Sequence, residues 1–207
     1  MLPLSDGPAT SHRPFIVGIG GTRRPNSSPE CATRVALKYA AAAGAETELF
    51  DGAALNLPIY DPDVPERDTP AHRLIEAMRR ADGFILASPG YHGSISGMLK
   101  NALDYAEDLR SDTRPYFDGR SVGMMACAYG WQATGTTLMT LRSITHALRG
   151  WPSPMAVAIN SSQKVFDAEG AVIDPNLDNQ IRILAEQVVN FAKMHRVFSL
   201  QQLPTAA

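Results

Sequence analysis

The sequence predicts an α/β fold in which a parallel sheet is covered by helices on both faces. Three observations carry that reading. Short apolar runs alternate with helix-favouring blocks from Pro14 onward; each run is nearly continuous, as strands buried on both faces are; and several runs end in glycine-rich turns. At 207 residues, with no internal repeat and no linker-like stretch, the chain fits one domain spanning residues 14–200. Residues 1–13, rich in Pro, Ser, Gly and Ala without periodicity, read as a loose tail.

The elements follow in order. Phe15–Ile19 is a short β-rich run closed by glycines, and Pro29–Ala43 is an Ala-rich helix with Gly44 as its stop. Glu46–Phe50 reads as the second strand, followed by a loop punctuated by Pro58, Pro62, Pro65 and Pro70. Thr69-Pro70 suits an N-cap and first turn, starting a helix that runs to about Ala81. Gly83–Ser88 is a buried strand, and Met98–Leu109 a helix. Ser121–Ala128 and Met155–Ile159 supply the fourth and fifth strands, with a helix over Thr136–Leu148 between them and a long amphipathic helix over Asn176–Val197 after them.

Composition narrows the function. With 19 Lys+Arg against 21 Asp+Glu, there is no basic excess to neutralise a nucleic acid backbone. The longest apolar runs fall far short of a membrane span, which needs about 20 residues. The first residues lack the charged and apolar regions of a secretory signal, and two cysteines, Cys31 and Cys127, suit buried thiols in a reducing compartment. A cytoplasmic protein is the expectation. The five histidines are scattered without partners at ligand spacing, so no metal site is indicated.

In an open parallel sheet, ligands bind beyond the carboxyl ends of the strands. After the first strand comes Gly20-Gly21-Thr22-Arg23-Arg24-Pro25-Asn26-Ser27-Ser28, opening a helix. Glycines permit close backbone approach, a helix N-terminus offers unpaired N–H groups, and Thr22, Ser27, Ser28 and Arg24 add donors; the combination suits a phosphate monoester. The competing reading is a capped helix start with two solvated arginines. The triphosphate loop Gly-x-x-x-x-Gly-Lys-Ser/Thr is absent, and Gly18-x-Gly20 is followed by Arg23 where a dinucleotide fingerprint needs its third glycine. Asp51, at the end of the second strand, keeps some of the dinucleotide reading alive as a ribose ligand. After the third strand, Ser88–Gly97 is long, rich in small residues and carries Tyr91 and His92; successive backbone N–H groups there suit the edge of a planar heterocycle. A nucleophile elbow fails because the central position of Gly93–Gly97 is Ile95, and His92 reads as contributing its backbone. Lys100, Asn101 and Asp104 read as helix-surface pairs or interface residues.

These motifs resemble those of the NAD(P)H-dependent FMN reductases. Gly21-Thr22-x-Arg24-x-x-Ser27 is similar to that family's phosphate loop, and Leu57-Pro58-Ile59-Tyr60-Asp61 to its Leu-Pro-x-Tyr-Asp segment. The long stretch Pro89-x-Tyr91-His92-Gly93-Ser94-x-Ser96-Gly97-x-Leu99-Lys100-Asn101-Ala102-x-Asp104 resembles its flavin loop. The similarity covers about residues 14–160.

The resemblance implies a flavodoxin-like three-layer α/β/α sandwich with a five-stranded parallel sheet of order 2-1-3-4-5. FMN would lie across the first, third and fourth strand exits. Thr22, Arg24, Ser27 and Ser28 would hold its phosphate, and Pro89, Tyr91, His92, Gly93 and Ser94 would line the isoalloxazine. The fourth exit departs from the family's Ser/Gly-rich pattern, having Tyr129, Gly130 and Trp131; Tyr129 and Gly130 are candidate flavin contacts. The implied reaction is hydride transfer from NAD(P)H to flavin N5. No side chain acts as a general acid or base, because the flavin carries the chemistry. Electrons would pass to a partner oxygenase or another acceptor. The alternatives are an FMN-bound quinone or azo reductase and a non-enzymatic electron carrier; the net charge of −2 speaks against the carrier, which needs a strongly acidic surface. The family also implies a homodimer or homotetramer, with the helix after the flavin loop as its interface.

Overall fold

All five strands pair in parallel, in the order β2-β1-β3-β4-β5. The computed structural model describes residues 13–201, so the tail expected over residues 1–13 lies almost wholly outside the described residues. The strands are β1 (Phe15–Gly20), β2 (Glu46–Phe50), β3 (Gly83–Pro89), β4 (Ser121–Ala128) and β5 (Trp151–Asn160). The helices are α1 (Ser28–Ala42), α2 (Thr69–Arg80), α3 (Gly97–Asp104), α4 (Trp131–Ala147) and α5 (Pro175–Gln201).

Alternate strand residues feed two cores. Phe15, Val17, Ile19, Phe84, Leu86, Val122 and Met124 pack with α2, α3 and α4. Ile16, Ile85, Ala87, Met125, Val157 and Ile159 pack with α1 and α5. The result is three layers, as expected. Glycine decides how close α1 comes. A Cβ on Gly18 would stand 2.7 Å from both Leu37 Cδ1 and Thr33 Cγ2, so Gly18 serves helix–sheet packing inside β1 and belongs to no phosphate loop. Because the chain moves from β1 outward to β2 and then returns past β1 to β3, its direction of winding reverses there. A crevice therefore opens at the carboxyl ends of β1 and β3.

Besides β5 opening at Trp151, four residues before the expected Met155, and α5 running to Gln201 and not Val197, three boundaries differ from expectation. The N-cap of α2 is Asp68, whose carboxylate accepts from Ala71 N–H at 2.9 Å, and not Thr69, which is already helical. The helix expected over Met98–Leu109 is α3 followed by a 3-10 turn, Tyr105–Leu109. The third difference is the start of α4. Residues 131–135, expected as part of a loop, form its first turns, in which the Thr134 and Thr137 hydroxyls donate to the Trp131 and Ala133 carbonyls. Those threonines bury with Leu141 and Thr145 on one face and leave Gly135 exposed on the other, at the usual cost of a helical glycine, about 1 kcal/mol against alanine.

The proline-punctuated segment after β2 is strapped to α3 and the turn beyond it. Asn101 donates to Pro58 O at 2.8 Å and accepts from Tyr60 N–H at 2.8 Å, while Tyr105 donates to Pro58 O at 3.1 Å. Asn101 is thus an internal clamp and not the surface residue expected; Lys100 and Asp104 do form an i,i+4 pair. At the far end of the strap, Arg67 grips both carboxylate oxygens of Asp108 at 2.7 and 2.9 Å and lies over the rings of Tyr60 and Tyr105. Arg120, 1% exposed, secures the opposite end of the sheet. It donates to the carbonyls of Arg79, Ala81 and Tyr116, and burial draws its pKa down to about 10, still charged at neutral pH.

The hydrogen bond from Arg67 holds the Asp108 carboxyl below its ordinary value of 3.8. A depressed carboxylate stabilises the fold above its unfolded pKa, and that stabilisation disappears as pH falls through the lowered value. Asp108→Asn should therefore lower the melting temperature at pH 7 and leave it nearly unchanged near pH 2, as read by thermal melts at the two pH values.

Candidate functional site

A cleft of about 440 Å³ lies where the crevice was expected, at the carboxyl ends of β1, β3 and β4. From the first exit come Thr22, Arg24, Ser27 and Ser28; from the third, Pro89, Gly90 and Tyr91; from the fourth, Cys127, Ala128 and Tyr129.

The first exit is shaped by the backbone. Gly21 N–H donates to Ala87 O on β3 at 2.8 Å, and Arg24 N–H to Thr22 Oγ1 at 3.1 Å. Asn26, at φ 53°, turns the chain into Ser27, the N-cap of α1. Ser27 is 8% exposed, and its Oγ has no hydrogen-bond partner among the described residues although an N-cap hydroxyl usually accepts from the helix. A buried hydroxyl left unpaired costs about 1–3 kcal/mol. Beside it, α1 presents its positive N-terminal end. The Arg24 side chain, exposed at the cleft, makes no ion pair with the described residues. An orphaned hydroxyl, a free guanidinium and a helix N-terminus converging on one cleft are the donor set of an anion site.

The third exit is tied to the first. Fully buried Ser88 accepts from Ser96 N–H at 2.9 Å and donates to Pro89 O at 2.9 Å. Ser96 Oγ donates to Gly21 O at 2.8 Å and accepts from Leu99 N–H at 3.1 Å, capping α3. Between them, Tyr91 and Ser94 exchange backbone hydrogen bonds of 2.9 and 3.0 Å around His92 and Gly93, both at positive φ (49° and 84°). This is a tight primed turn, in which glycine suits the second central position. His92, Gly93 and Ser94 are exposed on this turn and do not line the cleft; they brace Tyr91, which does.

At the fourth exit, Gly130 stands immediately before α4 at φ 110°, its N–H shared between Ala128 O and Asn160 Oδ1, both at 3.1 Å. Gly130 therefore lies behind Tyr129, which is 84% exposed at the cleft mouth. Trp131 is also exposed but does not line the cleft. Burial pushes the Cys127 thiol far above its ordinary range, which makes it an inert wall and no nucleophile.

Sequence reasoning missed the fifth exit. Asn160 Oδ1 accepts from Gly130 N–H, Ser162 N–H and Ser162 Oγ, and Ser161 lines the cleft. The signal was present, since Asn160-Ser161-Ser162 directly follows an apolar strand like the other exits. Asp51, weighed as a ribose ligand, is not among the residues lining the cleft. A second cleft of about 470 Å³ lies between the proline strap and α2, but its charges are spent on one another: Arg67 with Asp108, Arg79 with Glu76, Arg110 with Glu107.

Comparison with known proteins agrees with this geometry. Residues 14–164 match the family described as NADPH-dependent FMN reductase. An NAD(P)H-dependent FMN reductase of Pseudomonas aeruginosa is 32% identical over 162 residues, 77% of this chain and 84% of that one. An FMN-dependent NADPH-azoreductase of Staphylococcus aureus is 30% identical over 178 residues, covering 83% and 91%. A solved flavoenzyme, an NAD(P)H:(acceptor) oxidoreductase from Paracoccus denitrificans, shares the fold with a TM-score of 0.72 at 20% identity, covering 89% of this chain and 99% of that one.

Two buried N-cap serines now make opposite forecasts. Ser96→Ala should destabilise the protein by about 1–2 kcal/mol, since it removes a satisfied cap and leaves Gly21 O unpaired. Ser27→Ala should leave the ligand-free protein as stable as before or slightly more so. Urea unfolding of the two variants reads both.

Proposed function

The chain belongs to the NADPH-dependent FMN reductase family and is an NAD(P)H-dependent flavin oxidoreductase, and from that premise we propose that the cleft at the strand exits is its FMN site. The observation that carries this proposal is the unpartnered Ser27 hydroxyl at the N-terminus of α1, next to the free Arg24. Both fit a phosphate that supplies acceptors and negative charge.

In this reading Thr22, Arg24, Ser27 and Ser28 hold the phosphate, and the N-terminus of α1 supports its charge. Pro89, Gly90 and Tyr91 form one wall for the ring system, and Ala128 and Tyr129 the other. His92, Gly93 and Ser94 act at one remove by fixing Tyr91, and Gly130 by fixing Tyr129. Bound there, FMN supplies the redox chemistry, accepting a hydride from the nicotinamide and passing electrons on. The chain contributes position and the fixed dipoles of the α1 N-terminus and the strand exits. Tyr91 and Tyr129, both more than half exposed, stand at the mouth where the nicotinamide would approach.

The finer assignments rest on the same cleft. Residues 14–200 form the FMN-binding unit, and the reduced flavin serves an oxygenase or a small acceptor. The azoreductase relative favours acceptors reduced in place as the second reading. No helix among the described residues is long and apolar enough to cross a membrane, and Cys31 and Cys127 are free and buried, which suits the cytoplasm.

The purified protein, supplied with FMN, should oxidise NADPH or NADH, followed at 340 nm. Arg24→Ala should weaken FMN binding about 10–100-fold and Ser27→Ala about 10-fold, as charge-assisted and neutral hydrogen bonds lost to a ligand. Unchanged affinity in both variants would remove the phosphate from this loop.

A further inference from the structure

At the other end of the sheet, α5 and the edge strand β5 enclose a pocket of about 390 Å³, a volume that suits a small molecule. Trp151 opens β5, about 30 Å along that strand from the end at the cleft, so the pocket and the cleft are separate sites. The pocket walls are apolar: Trp151, Pro152, Pro154, Phe191 and Met194 line it, with the Phe191 and Trp151 ring centroids 5.7 Å apart. No charged residue lines it.

One lining residue breaks this pattern. Ser121 is 2% exposed, and its Oγ has no hydrogen-bond partner among the described residues. Alternation along β4 sends Val122 and Met124 into the core under α2, α3 and α4, and turns Gly123 toward Leu184 and Val188 of α5. Ser121 therefore faces α5, and it lines the pocket beside Trp151, its partner in the β4–β5 register. A buried hydroxyl without a partner carries a desolvation cost that a ligand atom can remove.

The neighbouring polar groups define the chemistry of that atom. Gln187 accepts from Met155 N–H through Oε1 at 2.8 Å, and Ser153 donates its hydroxyl to Met155 O at 2.7 Å. Two donors are left along the lining, the Ser121 O–H and the Gln187 amide N–H. They suit an uncharged oxygen acceptor, a carbonyl above all, on a body flat enough to lie against Trp151 and Phe191. An ion would find no countercharge in this lining. A peptide strand gains little here, because Pro152 and Pro154 lack an N–H and that of Met155 is taken.

We propose that this pocket binds a neutral aromatic carbonyl compound, its ring against Trp151, Phe191 and Met194 and its oxygen on Ser121 Oγ and the Gln187 amide. The Ser121 hydroxyl is covered in the free chain, so the Trp151 ring, 58% exposed, turns aside as the ligand enters.

The chain's two tryptophans separate the two sites, since Trp151 lines the pocket and Trp131 opens α4 at the fourth strand exit. The nitrogen-15-labelled full chain, with FMN in excess, is titrated with 1-indanone, and both indole N–H signals, assigned with Trp131→Phe, are followed by NMR. The Trp151 signal should shift saturably, with a Kd of about 0.1–1 mM as befits about ten heavy atoms, while that of Trp131 stays in place. Ser121→Ala should weaken 1-indanone about 5–10-fold, yet leave unchanged the Trp151 shift caused by indane, the parent hydrocarbon without the oxygen. Met194→Lys, exposed on a helix, should weaken both ligands and decides the matter if Ser121→Ala fails to fold. The proposal is overturned by a Trp151 signal that does not shift, by an affinity that Ser121→Ala leaves intact, or by a loss that indane shares equally.

Discussion

The hydroxyl of Ser96 is the point on which the candidate site depends. It donates to the Gly21 carbonyl at the end of β1 and accepts from Leu99 at the start of α3, while its own N–H reaches Ser88 at the end of β3. One residue therefore joins the two strand exits between which the chain reverses its winding. The junction is tight. A Cβ on Gly21 would come within 2.7 Å of Leu99 Cβ and 2.8 Å of Ser96 Oγ, so the first exit can press against α3 only because it lacks a side chain there. Asn160 plays the corresponding part on the other side, binding the fourth and fifth exits together through Gly130 and Ser162.

Against this well-satisfied frame, Ser27 stands out. Ser88, Ser96, Thr134 and Thr137 are buried hydroxyl residues whose oxygens all have partners, whereas Ser27 Oγ has none among the described residues. Ser121 Oγ and Arg114 Nε are also buried without partners among the described residues, but neither lines the cleft; Ser27 belongs to the cleft lining, where an acceptor-bearing ligand can complete its hydroxyl.

Much of this was legible in the sequence because the signals were local. β2, read from its alternation of polar and apolar residues, and β4, read from an apolar run, fall on the expected residues, and the glycine and hydroxyl pattern marked the first exit as a candidate anion loop. What escaped was set by tertiary contacts. Gly135 and the bulky Tyr129 and Trp131 read as loop, yet α4 starts at Trp131 and buries Thr134 and Thr137 against the sheet side. Asn101 looked like a surface residue because nothing local indicates that Pro58 and Tyr60 reach it. His92, Gly93 and Ser94 lie on the expected loop, on a turn set by two positive φ angles that residue type alone does not reveal.

The most direct test of the central claim, that Arg24, Ser27 and the N-terminus of α1 receive a phosphate, compares two ligands differing only in that group. Titration of the wild-type protein with FMN and with riboflavin, followed by flavin fluorescence, should give FMN an advantage of about 100- to 1,000-fold. That range corresponds to about 3–4 kcal/mol from the guanidinium, the hydroxyl and the helix dipole together. Equal affinities for the two flavins would contradict it.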